Sequence, residues 1–62
     1  MEKEVISRFL NTNVKLVKDD NFVIYGSIQG CYNNGILFFT NGKSIFLSYN
    51  RINEIVPLGG GQ

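Results

Sequence analysis

Residues 22–35 read Phe22-Val23-Ile24-Tyr25-Gly26-Ser27-Ile28-Gln29-Gly30-Cys31-Tyr32-Asn33-Asn34-Gly35, and this stretch decides the fold class. Successive side chains of a strand point to opposite faces. Phe22, Ile24, Gly26 and Ile28 therefore share one face, and Val23, Tyr25, Ser27 and Gln29 the other. A strand running from Phe22 to about Gly30 carries two internal glycines. Glycine inside a strand marks a bend, a bulge or a close backbone approach. Such bends let one long strand curl from one half of a small barrel to the other. Asn34-Gly35 then offers two residues that tolerate positive φ, a strong hairpin signal.

The same period of two continues on both sides. From Asn13, Val14 and Leu16 face one way and Lys15 and Val17 the other, and Lys18-Asp19-Asp20-Asn21 reads as a turn. Ile36-Leu37-Phe38-Phe39 is a third strand, closed by a tight turn at Asn41-Gly42. Ser44 to Tyr49 is a fourth, with Ile45-Phe46-Leu47 apolar on both faces. After Asn50-Arg51, Ile52 to Val56 is a fifth, stopped by Pro57. At the other end, Val5 and Ile6 recur as Phe9 and Leu10, which predicts a short helix over about residues 2–10. Two turns of helix are not stable alone in water, so this one must lie on the sheet. Residues 58–62 read as a frayed tail. The expectation is one mostly-β domain over 1–62, with an antiparallel five-stranded barrel at about 13–57. An open meander with the helix on one face is the alternative.

Composition narrows the function classes. A chain of 62 residues buries only about 60% of its unfolded surface, so short domains add disulfides, metals or partner subunits. There is one cysteine, Cys31, and no histidine, which leaves self-association as the expected staple. The lone thiol and the acidic start Met1-Glu2-Lys3-Glu4 predict a cytoplasmic protein with no signal peptide. No apolar run suits a membrane span. A net charge of +1 does not advertise bulk nucleic-acid binding. Cys31 has no histidine to act as its base, and Glu54 has no carboxylate partner. Asp19-Asp20 has no third ligand, and Gly59-Gly60-Gly61 does not join a strand to a helix as a phosphate loop does. The chain is therefore expected to be no enzyme and to need no metal or cofactor.

The order helix, strand, turn, bent strand, tight loop and two closing strands resembles the Sm/LSm family, which includes bacterial RNA chaperones. Gly26-Ser27-Ile28 matches its Gly-x-hydrophobic step, followed by Gly30-Cys31-Tyr32. Ile45-Phe46-Leu47-Ser48-Tyr49-Asn50-Arg51-Ile52-Asn53-Glu54-Ile55 matches its hydrophobic strand, short turn and hydrophobic ending. The chain departs from the family at Tyr32, where an aspartate is usual, and at Ser48-Tyr49-Asn50-Arg51, where Arg-Gly is usual. The resemblance implies an SH3-like or Sm-like barrel that pairs strands four and five between neighbours to close a homo-oligomeric ring of about five to eight subunits. It also implies that loops 32–34 and 48–51 hold single-stranded RNA.

Two sets of residues follow as candidates. Leu37, Phe39, Phe46, Leu47, Val23 and Tyr25 supply more apolar surface than one barrel interior takes, and edge strands four and five would otherwise stay sticky. They are the expected oligomer interface, although scattered apolar residues also occur on ordinary surfaces. Tyr32, Asn33, Asn34, Tyr49 and Arg51 are the expected RNA contacts, since tyrosine stacks on bases, asparagine pairs with base edges and arginine bonds phosphate. The same asparagines are also default turn residues. The rival reading is a protein-interaction or structural assembly module with no nucleic-acid role.

Overall fold

The computed structural model describes residues 1–59, so the expected tail lies mostly outside the described residues. The chain forms α1 (Lys3–Ile6), a 3-10 turn (Ser7–Phe9), β1 (Asn13–Lys18), β2 (Val23–Cys31), β3 (Gly35–Thr40) and β4 (Lys43–Ser48). A second 3-10 turn (Tyr49–Arg51) leads into β5 (Ile52–Pro57). All ladders are antiparallel, and the strands lie in the order β4-β3-β2-β1-β5. β4 and β5 are thus the two edges of one sheet that curls without closing. Among the described residues no helix is long and apolar enough to cross a membrane.

The alternation read from the sequence selects the inner face. Val14 and Leu16 of β1, Ile28 of β2, and Ile36 and Phe38 of β3 are fully buried. They form one cluster with Leu47 of β4 and with Ile52 and Ile55 of β5. Both edge strands thus reach the same core, which a flat sheet could not arrange. Burying each such side chain stabilises the fold by about 1.5–3 kcal/mol. The buried hydroxyl of Thr40 donates to the Tyr25 carbonyl at 2.7 Å, so it carries no unmet bond.

Curling is concentrated in β2. At Gly26 the backbone of β3 comes so near that an added Cβ would stand 1.9 Å from the Phe39 carbonyl oxygen. Between Ile28 and Gly30 the β2–β3 register shifts, and a second shift between Val17 and Lys18 bends β1 against β5. Such bulges increase twist and bend the strand that carries them.

The N-terminal segment differs from the expected helix. Only four residues are α-helical, and the turn tightens to 3-10 over Ser7–Phe9. Ile6 is fully buried and Phe9 packs on the core, whereas Val5 and Leu10 remain about two-fifths exposed. The cause is backbone pairing: Leu10 bridges Ile28, and the Asn11 N–H donates to the Ile28 carbonyl at 2.7 Å. That contact pulls the chain out of helical register. β2 likewise begins at Val23 rather than Phe22. The Lys18 N–H donates to the Phe22 carbonyl at 2.8 Å and the Phe22 N–H to Asp20 Oδ1 at 3.0 Å, which claims Phe22 for the turn.

Two glycine substitutions separate close approach from backbone conformation. Gly42 has φ of 77° with open space around its Cβ position. Gly42→Ala should cost about 1–2 kcal/mol, the penalty of a left-handed L-residue. Gly26→Ala should cost several times more, because β3 must move. Urea denaturation of both variants reads the difference, and equal losses would mean that the β2–β3 contact is not what bends the sheet.

Candidate nucleic-acid interface

The ladder registers gather three loops on one rim. Cys31 pairs with Ile36 and Gly35 with Ser48, so the ends of β2 and β4 and the start of β3 lie side by side. Lys18, at the end of β1, pairs with Ile52 at the start of β5. The 3-10 turn Tyr49–Arg51 spans these two groups. It binds loop 32–34 through the Tyr49 N–H, which donates to the Asn34 carbonyl at 3.3 Å. At its other end the Asp19 N–H donates to the Arg51 carbonyl at 2.8 Å.

Within this rim the two tyrosines differ in role. The Tyr32 N–H donates to the Gly35 carbonyl at 2.8 Å, folding the loop back. Its ring lies on Gly30, where an added Cβ would sit 2.7 Å from Oη and 2.9 Å from Cζ. One ring face is thus covered by backbone while the residue stays 52% exposed, a pre-positioned surface for stacking. Tyr49 instead packs partly against the core, and its hydroxyl donates to the Tyr32 carbonyl at 2.5 Å. It clamps the loop rather than presenting a free ring. Asn33 and Asn34 are exposed at the loop tip.

Arg51 pairs with the turn between β1 and β2. Its Nε meets Asp19 Oδ1 at 3.1 Å in a half-exposed ion pair. By sequence alone Asp19 is expected as a turn residue and Gly30 as a strand bend. The Asp19–Arg51 pair has no local signal, since the two residues are 32 positions apart, whereas Tyr32 follows Gly30 closely in the chain.

The apolar candidates divide by face. Leu47, one of the expected interface residues, lies in the core of the chain at 7% exposure. It pairs with Ile36, an inward residue, so the alternation of β4 turns it inside. Phe46 points outward on edge strand β4 and is 53% exposed, beside half-buried Leu37. Val23, Tyr25 and Phe39 lie on the outer face of the interior strands β2 and β3, away from either edge.

Burial raises the Cys31 thiol above its ordinary 9.0, opposed by nearby Lys3. Burial also raises the Tyr49 phenol above 10.0, assisted by Cys31 and opposed by the bond to the Tyr32 backbone. Both acids ionise more readily in the unfolded chain, so their contribution is complete below the unfolded values and lost as pH rises through the folded ones. Stability should therefore be level up to about pH 9 and fall above it, first through Cys31 and then through Tyr49. Tyr49→Phe should lose about 0.5–1.5 kcal/mol at neutral pH and flatten the upper part of that decline. Urea titrations from neutral to alkaline pH check both, and an unaltered alkaline limb in Tyr49→Phe would refute this role.

Comparison of the chain with protein-family models and with curated proteins finds no match.

Proposed function

We propose that the chain assembles through its edge strands into a closed homo-oligomeric ring that holds single-stranded RNA along the rim of loops 32–34 and 49–51. The observation that carries this reading is that β4 and β5 are the two free edges of one curled sheet, with Phe46 exposed on β4. Each edge presents unpaired backbone groups of a kind that other chains readily bind. Joining β4 of one copy to β5 of the next is a head-to-tail contact, which closes into a ring when the rotation permits. The resemblance to Sm/LSm proteins supports the same arrangement. A modest RNA contact per subunit then gains strength by repetition, because each later contact is effectively intramolecular. Tyr32 would stack on a base, Asn33 and Asn34 would bond base edges, and Arg51 would meet phosphate. The lone thiol Cys31 suits a reducing compartment, and we place the ring in the cytoplasm.

The exposed outer-face residues Val23, Tyr25 and Phe39 favour the second reading, a protein-interaction module without RNA. Salt separates the two, since phosphate contacts weaken as salt rises and apolar contacts change little. Native mass spectrometry should give one species of about five to eight subunits, and Phe46→Lys should reduce it to monomers. A monodisperse wild-type monomer would remove the ring. Changing Tyr32, Asn34 and Arg51 together to Ala should abolish binding of a labelled oligouridine, and retained affinity would remove the proposed RNA site.

A further inference from the structure

Phe22 is the most exposed large apolar side chain among the described residues, at 66%. The backbone that carries it is held in the turn by hydrogen bonds. Its N–H donates to Asp20 Oδ1, its carbonyl accepts from the Lys18 N–H, and the Asn21 N–H donates to the Lys18 carbonyl at 3.0 Å. Asn21 takes φ of 68° to close the turn, a conformation that asparagine tolerates. The Lys18 ammonium stands 5.6 Å from the Phe22 ring centroid, within cation–π range. The turn is tied to the rim already described, because Asp19 binds Arg51 through both backbone and side chain. Arg51 uses only Nε for Asp19, and its terminal nitrogens make no hydrogen bond to a described residue.

We infer that Phe22, Lys18 and Arg51 form a second contact for single-stranded nucleic acid, with a base stacked on the Phe22 ring and a neighbouring phosphate between the two cations. This rests on the RNA reading above and extends it from loop 32–34 across the 3-10 turn to the β1–β2 turn. An exposed aromatic on a hydrogen-bonded turn, with a cation beside it, suits base stacking, which is indifferent to sequence because every base has a π-face. Lys18 and Arg51 are balanced in charge by Asp19 and Asp20. Stacking therefore dominates this contact, and its share of the affinity depends little on salt.

The chain contains no tryptophan, so Phe22→Trp installs a single reporter at the turn. Titration with a decameric oligouridine should quench its emission, with the same midpoint as the anisotropy change of labelled oligouridine on the wild-type protein. Phe22→Ala should weaken that binding by roughly fivefold or more, by the same factor at about 50 and about 200 mM salt. Both variants should unfold at the wild-type temperature, since the side chain is outside the core. Wild-type binding with unchanged emission in Phe22→Trp, and undiminished affinity in Phe22→Ala, would overturn the second contact while leaving the RNA reading intact. Failure of the wild-type protein to bind either oligouridine or oligoadenosine would overturn the RNA reading and this contact with it.

Discussion

Where β3 crosses β2, the Phe39 carbonyl comes so near Gly26 that no side chain fits between them. That approach, followed two residues later by the register shift at Ile28 and Gly30, folds a nine-residue strand into a bend. The bend lets β2 pair with β1 along its first half and with β3 along its second. The inner faces of β4 and β5, at opposite ends of the strand order, then meet over one core. Interior packing leaves little room for a side chain to be accommodated by adjustment alone. The curvature of the molecule is thus set by a missing side chain.

The same curvature makes the rim. Ser48 and Ile52 belong to the two edge strands, yet only the three residues Tyr49–Arg51 separate them. So short a connection is possible because the curled sheet brings those strand ends together. Its bonds to Asn34 on one side and Asp19 on the other join loops from both halves of the sheet. Aromatic rings at Tyr32 and Phe22 stand at the two ends of this bonded series, both more than half exposed. Charge along it is largely internally matched, which suits contacts made by stacking and hydrogen bonding more than by bulk attraction to phosphate.

Size explains why the edges matter. Among the described residues the core is built from nine buried apolar side chains, which is small for a free-standing domain. The exposed Phe46 and the unpaired backbone of β4 and β5 are the surfaces on which further burial is available. Pairing such edges between copies adds hydrogen bonds and apolar burial together and removes an aggregation hazard.

Local rules made much of the fold legible in the sequence. The two-residue period set Val14 and Leu16 on a common face, and the structure buries both. Turn chemistry located the bends at Asn21 and Asn41-Gly42, each with positive φ. Strands four and five were expected as edges, and they are. These features depend on residues a few positions apart, where backbone sterics decide the outcome. Tertiary structure alone decided the rest. Alternation divides Ile45-Phe46-Leu47 between two faces, but only pairing with β3 assigns Leu47 to the core and Phe46 to solvent. Helical periodicity over Val5, Ile6, Phe9 and Leu10 gave way to the bridge between Leu10 and Ile28. Arg51 turns to Asp19, 32 positions away, because loops distant in sequence share one rim. Such contacts are fixed by how sharply the sheet curls, a property of all five strands together that no window of the sequence contains.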